Sequence, residues 1–257
     1  MASIHPSAIV DPAARLADDV TVGPYCIVGP RVEIGAGTVL RSHVVVDGNT
    51  SIGRECTLWQ FASIGGQTQD LKFEGGHPRV EIGDRNTFRE YATVNAATFA
   101  DGVTKIGNDN HIMAYCHVAH DCILGNGVIM ANAATLAGHV IVDDQAIIGG
   151  LTGVHQFVRV GRMSITGGCS KIVKDVPPFT MADGNPLEIH GLNLVGLKRK
   201  KVEDEEIDAL RYAYKVFYRE NLSTRQALDR LEQESRLSGL VAEMASFIRA
   251  STRGITH

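Results

Sequence analysis

No stretch of this 257-residue sequence is apolar for anything near the ~18 residues of a membrane-spanning helix, so a span of that kind is not expected. There is little excess charge either. The 25 Lys and Arg against 29 Asp and Glu leave a net charge of −4, which excludes a global basic field for nucleic acid or anionic lipid. A basic-then-apolar leader is also missing: Met1-Ala-Ser-Ile-His-Pro6 carries no such pattern, and no signal peptide is expected. The five cysteines are odd in number and scattered, which argues against a disulfide framework and for reduced thiols in a cytoplasmic protein.

What the sequence does have is a beat of six. Stepping from Ile4 gives Val10, Leu16, Val22, Val28, Ile34, Leu40, Val46, Ile52, Leu58 and Ile64, then Ile82, Phe88 and Val94, then Ile106 through to Ile172. Of these 26 positions 25 are apolar, the exception being Thr166. A fixed short period is the mark of a solenoid, and a hexapeptide period that of a β-helix. Three hexads per triangular coil would put residues 18 apart in register on neighbouring coils, ~4.8 Å from one another. With the apolar residue as position one, position two is rich in glycine, among them Gly23, Gly35, Gly53, Gly107 and Gly125, and reads as a positive-φ corner. Position five reads as small or β-branched throughout, as at Ala8, Cys26, Cys56, Cys116, Cys122 and Ala134, and as the second inward position.

Two interruptions, near 66–80 and 99–105, are multiples of six and leave the phase intact. Insertions in repeat folds map to loops on one face, often the binding face. Val176-Pro177-Pro178 is expected to stop the solenoid, because proline cannot donate to a ladder. Beyond it the period changes. Ile207, Leu210, Tyr214 and Phe217 have helical spacing behind an acidic first turn at 203–206. Ser223 and Gln226 form a capping box, and Val241, Met244, Phe247 and Ile248 mark a further helix. The expected fold is mainly β: a parallel β-helix over 1–180 with an α-helical C-terminal domain over 181–257 that covers its open edge.

The densest chemistry is Tyr115-Cys-His-Val-Ala-His-Asp-Cys122. Out of context it looks like a metal site. The phase argues otherwise: Cys116 and Cys122 both take the inward position five, so no metal is expected. His117, His120, His139 and His155 all fall on outward positions. Asp121 and His139 are 18 apart and should stack. The residue 18 beyond His120 is Gly138, which leaves a notch beside the imidazole, and Gln156 lies 18 further. Imidazoles, a carboxylate and a notch on one face fit general-base chemistry near neutral pH. The run Lys198-Arg-Lys-Lys201 suits a phosphate or an acidic carrier protein as well as a solvated face.

The beat together with Phe61-Ala-Ser-Ile-Gly65, Gln69-Asp-Leu-Lys72, Val80-Glu-Ile-Gly-Asp-Arg-Asn86, His117-Val-Ala-His-Asp-Cys122, Ala134-Thr-Leu-Ala-Gly-His139, Val154-His-Gln-Phe157, Gly167-Gly-Cys-Ser170, Asp175-Val-Pro-Pro178, Gly196-Leu-Lys-Arg199 and Ser251-Thr-Arg-Gly254 resembles the bacterial acyl-[acyl-carrier-protein]–UDP-N-acetylglucosamine O-acyltransferases, which open lipid A biosynthesis. The resemblance implies a left-handed helix, a hand that is an exception to the right-handed crossover rule. It implies a homotrimer with active sites between subunits, an acyl carrier protein and a UDP-sugar as partners, and no cofactor. It further implies His120 as general base, Asp121 as its orienting partner and the Gly138 N–H as oxyanion donor. Gln69, Asp70, Lys72, His117, His139, His155 and Gln156 would bind substrate. Asn193 and Arg199 would reach the nucleotide, and Gly168 would leave room for a long acyl chain.

Two positions depart from the family pattern. Asn95 stands where a histidine is usual near the sugar, and Val195 where a glutamate is usual near the nucleotide. The first leaves open an acceptor with a 3-amino group, giving an amide. Among other readings, a γ-type carbonic anhydrase needs two histidines five apart, and His117 and His120 are three apart. A related N-acyltransferase carries an added N-terminal domain, for which hexads beginning at residue 4 leave no room. A non-catalytic scaffold would not need aligned imidazoles.

Overall fold

The computed structural model describes residues 1–257, and the hexads wind into a three-faced parallel β-helix. The faces are sheets of eleven, nine and eight strands, most of them only two residues long. Register follows the ruler. Ile4 pairs with Val22 and Val118 with Leu136, one coil of 18 residues apart. Across the first interruption Ile64 aligns with Val94, and across the second Val94 aligns with Val118. Those coils are 30 and 24 residues long, so each insertion adds whole hexads and every apolar residue still points inward. The beat residues and position five together form one continuous core along the axis. Thr166, the exception to the beat, is 2% exposed and accepts the Gly149 N–H through its hydroxyl.

The structure corrects the sequence on three local points. First, left-handed backbone falls at position four and, apart from Gly65 with φ of 83°, not at position two. Tyr25, His43, Phe61, Tyr91, Tyr115, Asp121, His139 and Phe157 all have φ between 59° and 65°. Of the position-two glycines named above, none is left-handed. They are required by close approach: a Cβ on Gly107 would lie 2.5 Å from the Gly125 carbonyl oxygen of the next coil. Second, position five also admits buried asparagine. The Asn86 amide donates to the Gly83 and Gly107 carbonyls, and its Oδ1 accepts from the Asn110 N–H, which supplies internally what a small residue would leave unmade. Third, Pro177 and Pro178 do not end the first sheet. The strand Thr180–Asp183 pairs in parallel with Ile165–Thr166, and Glu188–Leu192 then adds antiparallel. Both prolines lie in the connection between strands, where no ladder donor is needed.

Four helices follow: α1 Leu194–Arg199, α2 Asp204–Tyr218, α3 Thr224–Gln233 and α4 Gly239–Arg249. The Ser223–Gln226 capping box opens α3. Short α1 went unread in the sequence, having one buried residue, Leu197, and so no periodic face. The helices share a second core with Met163 and Phe179 of the last coils. Arg162 grips Glu243 of α4 through two hydrogen bonds of 2.7 and 2.8 Å. Buried Asp175 accepts from the Ser251 hydroxyl at 2.7 Å and from the Arg159 N–H at 2.9 Å, tying the C-terminal segment to the solenoid. No helix is long and apolar enough to cross a membrane.

Candidate active site

Residues 120 and 121 occupy the outward turn of one coil, and 138 and 139 the equivalent turn of the next. Asp121 and His139 are both left-handed there, and the turn aims their side chains along the stack. His120 is 14% exposed. Its Nδ1 lies 2.9 Å from Asp121 Oδ2 and 3.0 Å from the Thr98 hydroxyl. His139 Nε2 is 3.8 Å from the same carboxylate oxygen, and its ring meets His120 edge-on with centroids 5.2 Å apart. Phe157, one coil on, stacks flat against His139 at 4.6 Å and fixes its plane.

The notch read from the sequence is present. A Cβ on Gly138 would fall 2.3 Å from Cε1 and 2.4 Å from Nε2 of His120, so only glycine admits the imidazole there. The Gly138 carbonyl accepts from the Phe157 N–H at 3.1 Å, while its own N–H donates to no group of the chain.

Asp70 arrives from the first insertion, with Oδ2 4.0 Å from His120 Nε2. Lys72 and Gln69 flank it, both exposed. Two threonines hold this loop to His120, and no sequence signal points to them, because threonine at position five reads as ordinary packing. Thr98 and Thr68 are buried with hydroxyls 3.2 Å apart; Thr68 also accepts from the Asp70 N–H, and the Thr98 N–H donates to Asp121 Oδ2 at 3.1 Å. His117 sits beside the group with Nδ1 2.7 Å from the Thr93 hydroxyl. Burial lowers its pKa, and a charge on His120 lowers it further.

The remaining candidates make no hydrogen bond or ion pair with this group, although Gln156 lies one coil beyond Gly138 and next to Phe157. His155 and Gln156 are exposed, and His155 Nδ1 lies 3.3 Å from an Arg253 nitrogen. Asn193 caps α1, accepting from the Gly196 N–H and donating to the Met163 carbonyl, and Arg199 is exposed in the last turn of that helix. Gly168 and Val195 are exposed. Asn95 is 9% exposed; its amide nitrogen is 3.2 Å from the Gln67 carbonyl, while its Oδ1 meets no donor.

The Cys116-His117-His120-Cys122 constellation does not form, since both thiols turn inward and donate to the Ala131 and Ala137 carbonyls. The ligand atoms that do converge, within 4.8 Å, belong to His120, Asp121 and His139. An oriented imidazole beside a free N–H, in a notch on a hexapeptide β-helix, defines an enzyme of the hexapeptide transferase class.

Comparison with known proteins agrees for the solenoid and for the C-terminal part. The bacterial transferase hexapeptide profile (six repeats) matches residues 104–138, and the UDP N-acetylglucosamine O-acyltransferase domain 2 profile matches 175–256. The acyl-[acyl-carrier-protein]–UDP-N-acetylglucosamine O-acyltransferase of Thermodesulfovibrio yellowstonii is 49% identical over 256 residues, covering 99% of both chains. The UDP-N-acetylglucosamine O-acyltransferase of Moraxella catarrhalis superposes with a TM-score of 0.95 at 45% identity, covering 99% of each chain. The Bacteroides fragilis UDP-N-acetylglucosamine acyltransferase gives 0.96 at 37% identity, over 99% of this chain and 100% of its own. The chain belongs to the UDP-N-acetylglucosamine O-acyltransferase family, and its solenoid is a left-handed parallel β-helix.

Proposed function

We propose that this protein transfers a 3-hydroxyacyl chain from acyl carrier protein to the 3-position of UDP-N-acetylglucosamine, the first step of lipid A biosynthesis, with His120 as general base. The observation that carries the mechanism is the pairing of His120 Nδ1 with Asp121 Oδ2 at 2.9 Å beside the uncommitted Gly138 N–H. With its proton on Nδ1, donated to Asp121 and Thr98, the imidazole presents a bare Nε2 to the acceptor. Nε2 removes the proton from the sugar 3-hydroxyl as that oxygen attacks the thioester carbonyl. The carbonyl oxygen becomes an oxyanion beside the Gly138 N–H. Collapse breaks the carbon–sulfur bond, and the departing thiolate takes the proton back from Nε2. Asp121, close to both histidines, stabilises the imidazolium formed in between. The thioester is already activated, and the steps need no metal or prosthetic group.

Asp70, Lys72 and Gln69 would hold the acceptor and acyl chain from the first insertion, with His117, His139, His155 and Gln156 along the same cleft. Arg199 and Asn193 would approach the nucleotide from a neighbouring subunit of a homotrimer, and Gly168 would admit a long acyl chain. Four buried unpaired cysteines support a cytoplasmic setting.

One observation favours the 3-amino analogue as a second acceptor. A hydroxyl has a single proton, which goes to His120, whereas an amine has a second for the partnerless Asn95 Oδ1. Transfer assays with UDP-N-acetylglucosamine and its 3-amino analogue, against carrier proteins of varied acyl length, decide between ester and amide. In either, His120→Ala should leave a folded protein with turnover cut on the order of 10²–10⁴-fold. Near-normal turnover would end the general-base assignment.

A further inference from the structure

The oxyanion donor assigned to Gly138 belongs to the peptide unit whose carbonyl is that of Ala137. Gly138 has no side chain to restrain that unit, and glycine is the residue whose backbone tilts most freely. The neighbouring units are pinned. The Ala137 N–H donates to the Val154 carbonyl at 3.0 Å, and the Gly138 carbonyl accepts from Phe157 at 3.1 Å. On the Ala137 carbonyl itself one donor of the chain converges: the Cys122 thiol, fully buried, with its sulfur 3.1 Å from the oxygen.

We propose that Cys122 is a positioning residue for acyl transfer, its S–H holding the Ala137–Gly138 peptide so that the Gly138 N–H faces the forming oxyanion. The inference rests on Gly138 as oxyanion donor. Two effects follow from one contact. Anchoring the carbonyl oxygen fixes the tilt of the whole planar unit and with it the direction of the N–H. Polarising the carbonyl strengthens the N–H as a donor, since linked hydrogen bonds reinforce one another in a low-dielectric interior. Burial pushes this thiol up to about 12, so it stays a proton donor across the working pH range.

The solenoid itself does not require a donor at this position. Ala62, Ala92, Ala134 and Ala146 fill equivalent inward sites with none. Where a donor does occur elsewhere, as from Cys116 to Ala131 or Thr152 to Gly167, the anchored peptide lies away from the imidazole. Cys116 is therefore a matched control: the same side chain, equally buried, one turn earlier.

The test compares Cys122→Ala, Cys122→Ser and Cys116→Ala in the full-length enzyme, with kcat, KM and melting temperature measured for each. Cys122→Ala should lower kcat roughly fivefold, the scale of one lost buried hydrogen bond, with KM unchanged. Cys122→Ser should restore most of it, and Cys116→Ala should leave kcat alone at a similar loss of melting temperature. Equal kcat for Cys122→Ala and wild type, or equal losses in both alanine variants, overturns the proposal. Replacing Gly138 by glycolic acid, which turns the amide into an ester and deletes the N–H, tests the underlying assignment separately. Loss of turnover there with normal Cys122→Ala keeps Gly138 and removes Cys122; full turnover removes both.

Discussion

At the scale of single residues, the site depends on which nitrogen of His120 carries its proton. Asp121 Oδ2 and the Thr98 hydroxyl both lie within 3.0 Å of Nδ1, and in the proposed mechanism together they would hold the proton there. Thr98→Val keeps the shape and deletes one acceptor, so kcat should fall about fivefold, one hydrogen bond of ~1 kcal/mol, while Thr98→Ser stays near wild type. The check is a kcat–pH profile of the three proteins; identical profiles would mean that Thr98 only packs. His117 supplies a pH test of a different sort. Its folded pKa is depressed, mainly by burial, while the unfolded chain protonates it near ~6.5. Below that pH the unfolded state binds the extra proton, so the contribution of neutral His117 to stability is present above pH ~6.5 and lost progressively as pH falls from there through the lower folded pKa. Urea midpoints at mildly alkaline and mildly acidic pH should therefore diverge more for wild type than for His117→Gln.

At the scale of the element, the repeating unit is a two-residue strand and a turn, and its tolerance to change differs from one glycine to the next. Gly107 needs the space: its missing Cβ would press on the Gly125 carbonyl oxygen at 2.5 Å. Gly107→Ala should cost about 1–3 kcal/mol by forcing two coils apart, because main chain cannot swing aside as a side-chain end can. Gly191, in the antiparallel strand after the last coil, has nothing within 4 Å of its Cβ direction, and alanine there should be neutral or stabilising by up to ~1 kcal/mol. Chemical denaturation of both variants gives the comparison, and equal stabilities would refute the close-approach account. The same unit explains what the sequence made legible. A strict period fixes which side chains point inward, so the fate of Cys116 and Cys122 and the stacking of His120 on Gly138 followed from counting by 18. The period does not show which main-chain atoms press on a given Cβ position, so the close approach that most position-two glycines serve is invisible to it. It is also silent where a segment leaves it. The hairpin at Thr180–Leu192, helix α1 and the Thr68–Thr98 link to the base all lie on or beside such departures.

At the scale of the whole molecule, one chain carries half of what the proposed reaction needs. His120, Asp121, Gly138 and Asp70 assemble within it, whereas no hydrogen bond or ion pair in the chain joins Arg199 or His155 to them. The outer face also carries a ladder of rings, Tyr25–His43–Phe61–Tyr91–Tyr115, at 4.9–5.0 Å spacing, whose hydrophobic members are 44–62% exposed. A face of that length left in water is unusual for a chain that works alone, and its covering by further copies fits the proposed trimer. In a cyclic trimer each site would take His120 from one subunit and Arg199 from the next. That arrangement predicts complementation. His120→Ala and Arg199→Ala chains, each inactive or nearly so as pure trimers, should regain activity when co-expressed. Every mixed trimer has one junction where an intact His120 meets an intact Arg199. Random assembly from equal amounts makes three trimers in four mixed, each with one good site of three, so activity should approach about a quarter of wild type. Light scattering on the purified mixture fixes the subunit number, and separately tagged chains allow the mixed species to be isolated. If the site were complete within one chain, every chain would carry one lesion and the mixture would be no more active than its parents.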